Sequence, residues 1–192
     1  MSLNFKKVFS TPFFDIEKGI DPNNLNTQPY YRLTSLDSVI CCVMTMQGEF
    51  VMVRQFRPNI DEYTLEFPAG GLLKSEEPLE AAKREFLEET SLTADFIYLG
   101  DFKLMMNRTT IKEYIFFGIN PKTVKQSIIE KGIEVHLVNR DDLKRFSVLG
   151  EYKQLAGLGI IQLASNHLEL DIMSESVNKI FDQFKLRQRN EC

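Results

Sequence analysis

The sequence predicts a single mixed α/β domain. Three observations predict it. Apolar runs of strand length, Asp37 to Met46 and Glu49 to Phe56 first among them, alternate with stretches whose apolar residues recur at helical spacing. The chain has 192 residues, enough for one domain with a full core. A hydrophobic fraction of 43% beside 26% charged residues is ordinary for a globular chain.

The elements follow in chain order. Phe5 to Tyr31 has little core patterning of its own. Asp37 to Met46, rich in Val, Ile and Cys, reads as a buried strand. Gln47-Gly48 forms a short turn and Glu49 to Phe56 the returning strand. Pro78 suits the first turn of a helix, where its missing N–H costs nothing, and Glu76 and Glu77 just before it complement the helix dipole. Leu79, Ala82 and Phe86 then give one buried stripe on a helix running to Thr90. Phe96 to Met105, Tyr114 to Ile119 and Glu134 to Val138 read as strands. Arg140 to Phe146 suggests a short helix and Gly150 to Ala164 a longer one. Ser174 to Gln188 is an amphipathic helix carrying Val177, Ile180, Phe181 and Phe184. Repeats and low-complexity segments are absent.

Composition excludes several function classes. A net charge of −4 argues against general nucleic-acid affinity. Three Cys, two of them adjacent at Cys41-Cys42 in an apolar run, do not suggest a disulfide framework, and neither they nor the two His suggest zinc. No apolar stretch reaches spanning length and no signal peptide is evident, so a membrane role is not expected and a cytoplasmic location is the default.

The chemistry concentrates in residues 66–92. Glu85, Glu88 and Glu89 sit at i, i+3 and i+4 on the predicted helix, about 5–6 Å apart at Cβ, where like charges repel. Glu88 has Arg84 one turn earlier; Glu85 and Glu89 have no basic residue three or four positions away. Glu88 and Glu89 also fall in the last turn, where the dipole prefers cations. A solvated acidic face is one reading. Hard oxygen ligands for Mg²⁺ or Mn²⁺ is the other, and the loop with Gly70 and Gly71 favours it, because glycine lets backbone approach a ligand closely.

Read from Gly70, the pattern is Gly, five residues, Glu76, seven residues, Arg84-Glu85-Phe86, one residue, Glu88-Glu89, one residue, Ser91, Leu92. This resembles the Nudix box of the Nudix hydrolases, with every charged position present and Ser91 where the late glycine normally falls. Val53-Arg54-Gln55-Phe56-Arg57-Pro58 and Tyr63-Thr64-Leu65-Glu66-Phe67-Pro68-Ala69-Gly70 resemble the ADP-ribose pyrophosphatase branch. The likeness runs from about residue 37 to about residue 163.

The resemblance implies a Nudix-type α/β/α sandwich with a mixed β-sheet over residues 37–192. It implies N-terminal strands within residues 1–36 that swap onto a partner in a homodimer. It implies Mg²⁺-dependent hydrolysis of ADP-ribose or a similar nucleoside diphosphate sugar to a nucleoside monophosphate and a sugar phosphate. Another nucleotide sugar such as a GDP-sugar, or a non-catalytic nucleotide sensor, are the alternatives. Glu85 and Glu89 become metal ligands, Glu88 a further ligand or the holder of a metal-bound water, and the Ala69 carbonyl completes the inner shell. Arg84 pairs with Glu76 to orient the cluster, and Glu66 is a substrate-side acid. Glu134, after Gly132-Ile133, is either the general base or an exposed charge at a strand start; His136 beside it reads as structural. Arg54 and Arg57 offer planar forks for phosphate, with Arg57 the better placed; its alternative is an ion pair with Glu62 or Glu66. Arg108 is either a substrate contact or part of a solvated turn. Pro and Gly are absent between Asp101 and Phe117, where ADP-ribose-cleaving relatives carry a Pro-Gly loop, so a related nucleotide sugar stays open. Tyr30 and Tyr31, or Phe13 and Phe14, are stacking platforms for the base or else core or interface residues.

Overall fold

Three N-terminal strands, β1 (Asn4–Ser10), β2 (Asp15–Ile20) and β3 (Tyr30–Thr34), form an antiparallel sheet of their own in the order β1-β2-β3. The computed structural model describes residues 3–24, 27–125 and 129–190. The weak core patterning of this segment has a direct counterpart: Val8, Phe9, Phe13, Tyr30 and Tyr31 are all exposed. The sheet is tied to the rest by the Leu33 N–H donating to the Arg108 carbonyl at 2.8 Å and by a parallel bridge from Leu33 to Thr109.

The main body runs β4 (Ser38–Met44), β5 (Phe50–Arg57), β6 (Glu62–Glu66), β7 (Ala69–Gly71), α1 (Pro78–Thr90), β8 (Leu92–Lys103), β9 (Lys112–Thr123), β10 (Ile133–Val138), α2 (Arg140–Leu149), α3 (Leu155–Leu168) and α4 (Val177–Asn190). Its sheet has the order β10-β5-β4-β9-β8. β4 and β9 run parallel and the other pairings are antiparallel, so the sheet is mixed. β4 and β5 pair only at Val43–Val51 and Met44–Phe50 before they part. β6 continues against β5 and β7 against β4, so the chain between Glu62 and Gly71 fills the split. That split places Glu66, Ala69 and Gly70 beside α1. Neither β6 nor β7 is legible in the sequence, because short segments with Glu, Pro and Gly carry no strand pattern and owe their pairing to neighbours.

Alternation along the strands sends side chains to two cores. On one face Val39, Cys41, Val43, Val51, Phe96 and Phe116 pack with Ala81, Ala82 and Phe86 of α1. On the other, Ile40, Cys42, Met44, Phe50 and Phe117 pack with Leu143 of α2, Ile160 and Ala164 of α3, and Ile180 and Phe184 of α4. The result is the expected α/β/α sandwich with a mixed sheet. Among the described residues no helix is long and apolar enough to cross a membrane.

Some boundaries differ from expectation. β8 and β9 are longer than their apolar centres, because their polar ends pair with each other. The helix expected from Gly150 starts at Leu155; Gly150 takes φ 72° and ends α2 instead. Leu79 was expected in the buried stripe of α1 but is 39% exposed; the stripe runs through Ala81, Ala82 and Phe86 and continues into Glu89 and Thr90.

Candidate active site

The placement of Glu89 follows from that stripe. It lies three residues beyond Phe86, whose ring is fully buried, so the helix turns its carboxylate toward the sheet, where it is only 4% exposed. There it accepts the Ala69 N–H at 3.0 Å. Burial pushes its carboxyl up to about 8, against the opposing Ala69 bond and with the charges of Glu85 and Glu130 adding to the rise. Glu85, one turn earlier, lies against Gly70. A Cβ on Gly70 would fall 2.1 Å from the Glu85 carboxyl carbon, so only glycine leaves room for this carboxylate. Burial raises the Glu85 carboxyl too; Arg84 opposes the rise and the charges of Glu88 and Glu130 add to it.

Arg84 organises the acidic face. Its Nε and Nη2 each donate to Glu76 at 2.8 Å, its Nη1 to Glu85 at 2.7 Å and Glu88 at 3.1 Å, and its Nη2 also to the Gly71 carbonyl at 3.0 Å. The Arg84 bond, joined by the Leu73 N–H, holds the Glu76 carboxyl down to about 2. Glu88 is half exposed. The helix ends at Ser91, which takes the left-handed conformation (φ 58°) while its N–H donates to the Leu87 carbonyl, so the turn keeps the geometry that glycine adopts most cheaply.

Arg57 and Glu66 join this face. Glu66 is paired across from Val53, and Arg57 reaches it with Nε at 2.8 Å and with a second bond from Nη2. Burial alone would raise the Glu66 carboxyl, but its bonds from Arg57 and Thr64 outweigh that and lower it. The ion pair considered for Arg57 is therefore formed, with Glu66 and not Glu62, and the charges of Arg57 and Glu89 act on each other.

Three candidates are not brought to the cluster. Val135 packs on the α1 face, so its neighbour Glu134 points to the opposite face of the sheet, as does its partner Arg54. There Arg54 donates to Glu134 at 3.2 Å and the His136 Nε2 lies 3.5 Å from the same carboxylate. Strand parity thus sets these two side chains on the sheet face away from Glu85. Arg108 lies over the Tyr30 ring at 5.9 Å, on the N-terminal sheet. From the same loop, the Glu130 N–H donates to the Glu88 carbonyl at 2.9 Å, and the charge of Glu130 adds to the rise at both Glu85 and Glu89. The sequence offers Glu130 and Glu134 on either side of Gly132 and does not tell which is pinned to the helix.

The donor set fits a hard divalent cation: carboxylate oxygens, two of them on acids whose charge burial disfavours and an ion would relieve. Among the described residues no three His, Cys, Asp or Glu side chains form a preassembled metal cage. Glu85 and Glu88 each give one carboxylate oxygen to Arg84, and Glu89 gives one to the Ala69 N–H, so an ion would be met by the other oxygen of each.

The sequence pattern and this geometry agree with a direct comparison: the family model for the NUDIX domain matches residues 34–154. The chain belongs to the Nudix family. Within this Nudix chain, 57 residues are 44% identical to the ADP-ribose pyrophosphatase of Bacillus subtilis (strain 168), covering 30% of this chain and 31% of that one. Forty residues are 52% identical to the ADP-sugar pyrophosphatase of Mus musculus, covering 21% of this chain and 18% of that one. These matches span less than a third of either relative. A crystal structure of an ADP compounds hydrolase superposes with a TM-score of 0.72 at 16% identity, over 88% of this chain and 94% of that one, a likeness of fold.

Proposed function

We propose that this Nudix protein hydrolyses the pyrophosphate bond of ADP-ribose or a similar nucleoside diphosphate sugar, releasing a nucleoside monophosphate and a sugar phosphate. One observation carries the reading: Glu85 and Glu89 hold half-buried and buried carboxylates of raised proton affinity on one helix face, with Gly70 cut back to admit Glu85. Such an arrangement is costly unless a cation relieves it. The names of the two relatives support the substrate class. The missing Pro and Gly between Asp101 and Phe117 favour, as a second reading, another nucleotide sugar such as a GDP-sugar.

In this reading Glu85, Glu88 and Glu89, with the Ala69 carbonyl, hold Mg²⁺, which Mn²⁺ can replace. When bound, the ion neutralises the pyrophosphate and acidifies a water. Arg84 keeps the carboxylates in register, braced by Glu76 and the Gly71 carbonyl. Glu66 fixes the plane of Arg57, and the half-exposed Arg57 fork meets a substrate phosphate. Glu130, anchored on the helix end, takes the proton from the attacking water in place of Glu134. Residues 1–36 swap onto a second copy, giving a cytoplasmic homodimer built on the 37–192 domain.

The test is a panel of nucleoside diphosphate sugars incubated with Mg²⁺ and resolved by mass. Cleavage to a monophosphate and a sugar phosphate is expected. Glu130→Gln should lose about 100-fold in turnover and Glu134→Gln less than about twofold. No cleavage of any diphosphate with Mg²⁺ or Mn²⁺ would overturn the reading.

A further inference from the structure

The segment that carries Glu66 and Ala69 steps between the two halves of the split sheet. β6 ends at Glu66 against β5, and β7 begins at Ala69 against β4. Phe67 and Pro68, between them, belong to neither ladder. Pro68 has no N–H to donate, and its carbonyl accepts the Cys41 N–H at 2.8 Å. The Phe67 N–H is left without a strand to receive it, on a residue that is fully buried. Such a donor must find an acceptor elsewhere. It donates to the Gln154 Oε1, just before α3, at 2.9 Å.

Gln154 is itself built into place. The Tyr152 hydroxyl donates to the same Oε1 at 3.1 Å. The buried Tyr152 ring meets the Phe67 ring edge-on at 6.2 Å, among the side chains that α2, α3 and α4 cover. Gly157 makes room for both: a Cβ there would fall 1.6 Å from the Tyr152 hydroxyl oxygen and 2.9 Å from the Phe67 ring. Lys153, between Tyr152 and Gln154, pairs with Glu62 at the start of β6. The connection from α2 to α3 thus grips β6 and the step after it from the face opposite α1. On the α1 side the Ala69 N–H, two residues on, donates to Glu89 at 3.0 Å. The step is held from both faces of the sheet, by Gln154 behind and Glu89 in front.

We infer that Gln154 is a positioning residue for the acidic site, acting through the Phe67–Ala69 backbone on the Glu89 carboxylate. Its amide oxygen sets how far the step sits toward α1. That depth places the Ala69 N–H, which engages one oxygen of Glu89 and leaves the other for an ion. The Ala69 carbonyl moves with the same residue. Glu66 depends on the link less, because its ladder with β5 and its bond from Thr64 hold it independently. Without the Gln154 acceptor the Phe67 N–H is buried and unpaired, and the step relaxes to find another partner. The catalytic consequence rests on the hydrolase reading; the bracing of the backbone does not.

The test pairs Gln154→Met, which keeps the side chain's length and removes the acceptor, with Gln154→Glu, which keeps an acceptor at the same reach. Each is followed by amide hydrogen exchange in EDTA and by steady-state kinetics, with Mg²⁺, on the nucleotide sugar cleaved fastest in the panel. In Gln154→Met the Phe67 and Ala69 amides should lose about tenfold in protection while the β9 core amides hold. Turnover should fall about tenfold, with KM changed less than about threefold. Gln154→Glu should recover both. Tyr152→Phe, which removes only the hydroxyl that orients Gln154, should show a smaller loss of the same kind and decides the matter if Gln154→Met does not fold. Gly118→Ala, a packing change on the α1 face, should lower stability without this loss of turnover. Ala69 protection unchanged in the variants that fold, a loss that Gln154→Glu leaves in place, or an equal turnover loss in Gly118→Ala would overturn the inference. A wild type that cleaves no diphosphate, with Ala69 protection still tied to Gln154, would overturn the hydrolase reading and leave the brace standing.

Discussion

Replacing Glu89 with glutamine should stabilise the metal-free fold, and increasingly so as the pH rises. The buried carboxyl has its folded-state proton affinity raised from 4.5 to about 8. A raised value means that the folded protein binds this proton more tightly than the unfolded chain does. The stabilisation is complete below about pH 4.5 and drains away as the pH climbs toward 8. At ~1.4 kcal/mol per pH unit, the cost of forcing the charge reaches about 4 kcal/mol at pH 8. That is a large share of the ~5–15 kcal/mol that holds a typical domain together. Glutamine keeps an acceptor for the Ala69 N–H and carries no charge, so it should escape the penalty. The assay is urea unfolding followed by circular dichroism in EDTA, from about pH 5 to about pH 8. Wild type should lose stability across this range while Glu89→Gln stays nearly level, the gap reaching at least about 2 kcal/mol even if local relaxation halves the effect. Mg²⁺ at about pH 8 should recover wild type more than the variant. A wild type whose stability is flat with pH, or a variant less stable at about pH 8, would refute the argument that burial dominates this acid.

Gly70→Ala should cut turnover about 100-fold while leaving the melting temperature nearly unchanged, since its Cβ would displace the Glu85 carboxylate 2.1 Å away; steady-state kinetics beside a thermal melt separates the two. Arg84→Lys should cost about 2 kcal/mol in urea unfolding and lower turnover further, because one ammonium cannot span Glu76, Glu85, Glu88 and the Gly71 carbonyl. Gly118→Ala should destabilise by ~1–3 kcal/mol with little change in substrate affinity, as its Cβ would meet the Phe96 ring and a Val43 methyl at 2.9 Å on the α1 face.

The sequence by itself determined the mixed α/β class and the acidic helix, because both rest on local periodicity; the sandwich came from the resemblance to the Nudix hydrolases. The Val/Ile/Cys run at 37–46, the helix opened by Pro78, and the spacing of Glu85, Glu88 and Glu89 are readable one residue at a time. Tertiary structure decided what each acid experiences. Glu88 and Glu89 are adjacent in the chain, yet one is half exposed and the other buried, since a single residue rotates the side chain by about 100° around the helix. Likewise, Glu134 and Glu130 flank the same glycine, but strand pairing turns the first away from α1 while a backbone bond pins the second to the helix end. Burial, and the long-range pairing that sets which face a strand residue occupies, depend on contacts between distant segments, and no local pattern encodes them.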